Sequence, residues 1–440
     1  MLAPLGTCST TSYLVHRLMA GLVVLGALVA LVVQSPVAQA DSVRPSRAYF
    51  GMHDGSMLAY DTLSYGSLRL WDAGVTWPDI ERSPGVYDWS RLDAYVSAAQ
   101  AHGVEVTLVL AMTPSFYGPA STLPPTDLAT YAAYVRAVMT RYRDFHGSRG
   151  IAAYEVWNEG NVPTFWTGTP AQLAQLTRIV WQTRRQVDPG ATLVGPSFAA
   201  RMSGQRQWLF DYTSQRVGGK PVWRYYDATA LSLYPKATYG DRIGGPEDAM
   251  VVLAKARRQL ARAGAPESQP IWGTEVNYGV TSDASAARPV SNRRQVANVV
   301  RTYLLGAAQG LQRMFWYRYD WGLVPGGTLG NTLLATPGSY GRITPAGDAV
   351  LTAESWMKGR LVGRNGQRPC HQDAKGTFRC VVKHAGGTRT ILWNPQHRVR
   401  VAMPSGADQV NDARGVSSGV GKRQSTLSVS YLPVMVSSRR

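Results

Sequence analysis

Short apolar or β-branched runs recur along the chain, and stretches with apolar residues at helical spacing separate them. The runs are "RAYFGMH", "SLRLW", "VEVTLVLA", "IAAYEVWNE", "ATLVGPS", "ATALSLYP", "PIWGTEVN" and "QRMFWYRYD". In "DWSRLDAYVSAAQAHG", Leu92, Tyr95, Val96 and Ala99 fall at i, i+3, i+4 and i+7, the spacing of one helix face. Asp88 is placed to cap that helix and Gly103 to end it. "TDLATYAAYVRAVMTRYRDFHG" repeats the plan, with Leu128, Tyr131, Val135, Val138 and Tyr142 on one side. "TPAQLAQLTRIVWQTRRQVDPG" begins with Pro170, which suits a first helical turn, and ends in Pro-Gly. Further helices fit "EDAMVVLAKARRQLARAG", "NRRQVANVVRTYLLGAAQG" and "AGDAVLTAESWMKG".

Eight strands alternating with helices predict a parallel sheet. Eight such units over roughly 300 residues fit a closed (β/α)8 TIM barrel. An open doubly wound sheet is the competing arrangement, and it usually carries a glycine-rich phosphate loop after its first strand. Here "HDGSMLAYD" follows, which is no such loop. Past Gly359 the helical period stops. "GTFRCVVKH", "TRTILWNP", "VRVAMP" and "STLSVSYLPVMVS" read as short antiparallel strands of a small C-terminal β-sandwich. The boundary falls near residue 360, giving a barrel over 41–360 and a β domain over 361–440.

Composition narrows the class. Charged residues are 17% and hydrophobic ones 45%, which excludes a disordered chain. His16 and Arg17 precede an apolar run from Leu18 to Val33, and "SPVAQAD" follows, with small residues at Ala38 and Ala40. That pattern predicts a signal peptide over residues 1–40, cleaved after Ala40, and a secreted or cell-envelope protein. The alternative is an uncleaved anchor, since the run is near the lower limit for spanning. Cys370 and Cys380 flank "HQDAKGTFR" in one hairpin and are expected to form a disulfide; two free thiols are the alternative. No second Cys/His pair has zinc-ligand spacing, so no metal is expected.

The net charge of +18 is uneven. Residues 361–440 hold 13 Lys and Arg against 3 Asp and Glu, and so supply +10 of it. Acidic cell-envelope polymers or anionic lipid surfaces are candidate partners of this basic module, and plain solubility is the equal alternative. No nucleic-acid motif accompanies the charge, so nucleic acid is not expected.

The chemistry lies in two carboxylates. Glu159 closes the fourth strand, in "YEVWNEGNVPTFW", and Glu275 closes the seventh, in "IWGTEVNYG". Chemistry in a barrel collects at the carboxyl ends of its strands, and two carboxylates facing one pocket are what glycoside cleavage needs. Alone, either glutamate reads as a surface residue or loop cap. Together, Trp157-Asn158-Glu159 and Thr274-Glu275 resemble the motif pair of clan A glycoside hydrolases. With "GVYDWSRLDAYVSAAQAHGVEV", the pattern is similar to the family 39 and family 5 branches, over about residues 48–360.

The resemblance implies a retaining (β/α)8 enzyme that needs no cofactor and acts on a carbohydrate. It implies Glu159 as general acid/base and Glu275 as nucleophile. It places Asn158 on the sugar 2-hydroxyl, Arg69 in support of the nucleophile, Tyr234 in the pocket wall and Trp316 under the subsite beside the cut bond. One position departs from it. Ser232 in "LSLYP" stands where clan members often have the histidine of His-x-Tyr. His53, after the first strand, either supplies an imidazole to the pocket or serves as a loop hydrogen-bond partner. On a strand, residues 155, 157 and 159 share a face. Glu155 is then deeper in the barrel and needs a partner, for which Arg69 is the candidate, while Trp157, Trp166 and Trp316 are expected to offer faces for sugar stacking. A non-catalytic glycan-binding barrel and a structural envelope protein are the competing classes. The sugar and the choice of endo or exo cutting are not legible. A monomer is expected.

Overall fold

The computed structural model describes residues 42–56, 62–279, 290–319, 334–335, 342–363 and 368–439. The expected signal peptide over 1–40 lies outside them. Among the described residues no helix is long and apolar enough to cross a membrane.

Eight parallel strands close into a barrel in chain order: β1 (Phe50–Met52), β2 (Ser67–Leu70), β3 (Glu105–Val109), β4 (Ala153–Glu155), β5 (Thr192–Ala199), β6 (Ala228–Ser232), β7 (Ile271–Val276) and β8 (Arg313–Trp316), with β8 paired to β1 and β5 to β6. Helices follow seven of them: α1 (Ser90–Ala101), α2 (Leu128–Tyr142), α3 (Pro170–Val187), α4 (Ser203–Thr213), α5 (Pro246–Arg262), α6 (Asn292–Ala308) and α7 (Pro345–Met357).

Alternation along the strands fills two separate spaces. Ala153, Val194, Ala228, Ala230, Trp272 and Phe315 form their own cluster inside the barrel. Met314, Trp316 and the buried faces of the helices belong to the larger layer outside it. Gly51 makes room for the inner cluster, since a Cβ there would stand 2.5 Å from the Phe315 ring. On α1, the four residues Leu92, Tyr95, Val96 and Ala99 are all fully buried, as their spacing requires. Asp88 accepts hydrogen bonds from the Ser90 backbone and hydroxyl at its start, and Gly103 ends it at φ +62. Pro170 and a Thr169–Gln172 capping box open α3.

The C-terminal strands are β9 (Arg360–Val362), β10 (His371–Gln372), β11 (Phe378–His384), β12 (Gly387–Trp393), β13 (Val399–Ala402), β14 (Ala407–Asp412), β15 (Ser417–Gly419), β16 (Thr426–Val429) and β17 (Val434–Arg439). The main sheet runs β9-β11-β12-β17-β14-β15, with β10 beside β11; β13 and β16 pair separately. Leu392, Leu427, Val429 and Val436 form the core between the two layers. Cys370, just ahead of β10, and Cys380, within β11, are joined by a disulfide at the open end of this hairpin. One pairing gave no signal in the pattern. Ser42–Val43, ahead of the barrel, adds to the edge of this sheet antiparallel to β9. The barrel is therefore flanked by both ends of the described chain, and residues on each side of it share one sheet.

Candidate active site

Arg69 on β2 points into the barrel and is 1% exposed. Its Nε and Nη2 donate to Glu155 Oε2 and Oε1, each at 2.7 Å, in the two-pronged geometry that suits guanidinium and carboxylate. Nη1 donates to Glu275 Oε1 at 2.8 Å, and Nη2 also reaches Asn158 Oδ1 at 2.8 Å. One guanidinium thus ties β2 to β4 and β7. Glu155 is wholly buried, and this bidentate pair is the partner its charge requires.

The carboxyl ends of β4, β6 and β7 depart from regular strand geometry. The pairing of β6 with β7 shifts register at Leu231/Ser232, and that of β7 with β8 between Gly273 and Val276. Such irregularities re-aim side chains next to functional sites. Here they bring Ser232 and Glu275 opposite one another. Glu275 Oε2 accepts from the Tyr234 hydroxyl at 2.9 Å, so each of its oxygens has a donor.

Beyond Glu155 the chain leaves the β4 strand. Glu159 has φ +37, an uncommon value for a residue other than glycine. It is held there by its N–H on Ser197 Oγ at 2.9 Å, and Gly160 N–H bonds the Ser197 carbonyl at 2.9 Å. Ser197 Oγ also accepts from Arg69 Nη2 at 3.3 Å, so the backbone of Glu159 and the carboxylate of Glu275 share one polar network. The Ser232 hydroxyl lies beside the Glu159 carboxyl without a well-formed hydrogen bond to it.

Burial pushes the pKa of both Glu159 and Glu275 upward. The charge of Glu159 raises Glu275 further, against the pull of Arg69. Two such carboxyls titrate as a pair, and near neutrality they share a proton. The hydrogen bonds assign it. Glu275 accepts from a guanidinium and a phenol, which favours its charged form, and among the described residues Glu159 has only the Ser232 hydroxyl beside it.

His53 is buried, and its Nε2 meets the Thr274 carbonyl at 2.9 Å, which makes that nitrogen the N–H donor. Burial, then the charge of Arg69, lowers its pKa to about 3, so the imidazole is neutral. Its ring meets that of Tyr317 edge-on at 4.9 Å. Tyr317 is half-buried, donates to Asp72 Oδ2 at 2.5 Å, and has its pKa raised by burial, by Asp72 and by Glu275. Arg318 Nη1 pairs with the same Asp72 oxygen at 3.1 Å.

The structure therefore brings together Arg69, Asn158, Glu159, Tyr234, Glu275 and His53. It corrects three aromatic expectations. Trp157 is fully buried, donates its Nε1–H to the Phe165 carbonyl at 2.9 Å and packs edge-on against Trp166 at 5.0 Å. Trp166 is buried with it. Residues 155, 157 and 159 do not share a face, because β4 ends at Glu155 and it is Asn158 that joins Glu155 on Arg69. Trp316 is 1% exposed and lies in the outer layer, 5.9 Å from the Tyr278 ring. Phe315 is the inward residue of β8, so period two places Tyr317 at the mouth. That signal was present in "QRMFWYRYD". Asp72 and Ser197 had none beyond their positions after β2 and within β5.

No protein-family model matches the chain, and no curated protein sequence matches it. Solved structures do. A family 39 glycoside hydrolase from Bacteroides cellulosilyticus WH2 superposes with TM-score 0.64 at 18% identity, over 90% of this chain and 81% of that one. A monomeric β-xylosidase from Caulobacter crescentus CB15 gives 0.60 at 15%, over 90% and 97%. A GH30 endoxylanase from Clostridium papyrosolvens C71 gives 0.57 at 13%, over 91% and 98%. At such identities the likeness establishes the fold, which is that of clan A glycoside hydrolases, and the resemblance drawn from the two glutamate motifs holds at that level.

Proposed function

We propose that the chain is a glycoside hydrolase that cleaves the O-glycosidic bonds of a polysaccharide or oligosaccharide with retention, in two displacements. One observation carries the reading: of two carboxyls flanking Ser232, Glu275 accepts from both Arg69 and Tyr234, donors that favour its charged form, while among the described residues Glu159 has only the Ser232 hydroxyl beside it. Different environments for a carboxyl pair are what separate nucleophile from acid. Glu159 donates its proton to the leaving oxygen as Glu275 attacks the anomeric carbon. A covalent glycosyl-enzyme forms, and the aglycone departs protonated. Glu159, now ionised, takes a proton from water, which hydrolyses the intermediate and frees Glu275. Asn158, fixed by Arg69, is placed for the sugar 2-hydroxyl. The retaining mechanism expects about 5–5.5 Å between the two carboxyl groups in a substrate complex; about 6.5–9.5 Å points to inversion. We also propose export, with cleavage after Ala40, for which N-terminal sequencing of the secreted protein is the check.

The test is a panel of plant and bacterial wall polysaccharides and aryl glycosides, with product sizes recorded. Glu275→Gln should abolish turnover in a folded protein. Glu159→Ala should be rescued in part by substrates with good leaving groups, or by azide with formation of a glycosyl azide, because only the proton donor and base are missing. Near-normal activity of Glu275→Gln on any cleaved substrate ends the assignment.

A further inference from the structure

At the amino-terminal end of β6 and β7, opposite the carboxylates, lies a groove of about 550 Å³. Trp181 of α3, Trp223, Tyr226 and Gln269 line it, together with Lys220 and Arg224. The mouth holding Ser232 and Glu275 is at the other end of these strands, on the order of 15–20 Å away. Lys220 and Arg224 belong to the lining of the groove, and Arg185 stacks on the Trp181 ring. Arg185 lies 4.8 Å and Lys220 6.0 Å from the centre of the Trp181 ring, and Arg224 lies 5.2 Å from that of Trp223. None of the three makes an ion pair among the described residues. The acidic residue of the wall, Asp227, is already engaged by Arg184 at 3.2 Å and by the Leu193 N–H at 2.8 Å.

We propose that this groove is a second glycan-binding site, selective for a short stretch of carboxylated sugar such as a uronate. A guanidinium laid on an indole is fixed in place, and its N–H edges stay free to take a carboxylate side by side. The volume is within the range of sites for small ligands. A nucleic acid fits less well. Single strands bind by stacking bases on open aromatic faces along an extended basic track, whereas here cations cover both indoles and the charge is confined to one groove. A second contact for the same kind of polymer raises the local concentration of chain near the barrel mouth.

Calorimetric titration of the full chain with trigalacturonate at low and high salt tests this without depending on turnover. The variant Arg185→Gln/Lys220→Gln/Arg224→Gln should bind roughly tenfold or more weakly, and the methyl ester of the probe should bind as weakly to the unaltered chain. A control with the same charge change in the C-terminal β domain, Arg398→Gln/Arg400→Gln/Lys422→Gln, should bind as the unaltered chain does. Should the groove variant not fold, Arg224→Gln alone carries the test. The proposal is overturned if trigalacturonate does not bind at low salt, if the control loses as much affinity as the groove variant, or if a short single-stranded DNA binds the groove more tightly than the saccharide.

Discussion

Arg69 holds Glu155, Asn158 and Glu275 at once, and the consequence of removing it can be worked out from their burial. Arg69→Ala leaves the wholly buried Glu155 without a counter-charge, which costs about 3–5 kcal/mol. Denaturant melts should show that loss, and a further Glu155→Gln should recover part of it, because the stranded charge is then gone. An unchanged melt for Arg69→Ala would refute the buried pair. The carboxyl pair gives a second residue-scale expectation. Glu159 and Glu275 both have folded pKa values above their unfolded ones and titrate as a pair, whose shared proton leaves at about 8. The folded state therefore keeps a proton that the unfolded state has lost, so this stabilisation is complete at low pH and vanishes as pH rises through about 8. His53 acts in the opposite sense. Its folded pKa of about 3 makes stability rise with pH, up to the ordinary histidine value of about 6.5. Above that the pair acts alone. Between about pH 6.5 and 8 stability should fall by on the order of 1–2 kcal/mol, and Glu159→Gln should flatten the fall by removing the charge that opposes ionisation of Glu275. A wild-type melting temperature that rises across that window would refute the coupling.

At the scale of the element, adjacent residues at the end of β8 have opposite fates. Trp316 faces the helices and Tyr317 the mouth, beside His53 and Asp72. Tyr317→Ala should therefore raise KM or lower kcat/KM on the best substrate about tenfold or more, for a loss of stacking worth ~1–2 kcal/mol. Trp316→Phe should lower stability with little change in KM. The reverse pattern would restore Trp316 as the sugar platform. Period two carried this much in the sequence, and the helix spacing of α1 and α2 carried their buried faces. The glutamates were legible as a pair, through Trp157-Asn158-Glu159 and Thr274-Glu275 at the ends of two strands of one barrel, since either alone reads as a loop cap. The turn of the chain after Glu155 was not legible, because it rests on contacts with Ser197 nearly forty residues away in sequence. Nor was the edge strand Ser42–Val43, which is two residues long and owes its place to β9 at the far end of the barrel.

Across the whole molecule, one carboxylate at the junction of the barrel and the β domain bonds to both. Glu247 of α5 accepts from Arg301 Nε at 2.9 Å and also from its Nη2. It further accepts from Trp393 Nε1 of β12 at 2.8 Å. Arg301 Nη1 reaches on to the Tyr431 carbonyl at 3.4 Å. The helix α6 that carries Arg301 is buried nearly throughout, because the β domain covers the side turned away from the barrel, and residues 40–440 behave as one compact unit. Glu247→Ala strands the Arg301 charge and orphans the buried Trp393 N–H. The carboxylate side chain is itself 20% exposed, so water will offset part of the loss, and about 3 kcal/mol is expected. Glu247→Gln keeps an acceptor for Trp393 and should lose less. Because the damage falls at the junction, calorimetry should show more than a lowered melting temperature. The single transition expected of the intact chain should separate into two in Glu247→Ala, one for the β domain and one for the barrel. A variant that melts in one step at the wild-type temperature would mean that the junction is held by apolar packing and the pairing of Ser42–Val43 with β9, and that Glu247 adds nothing to it.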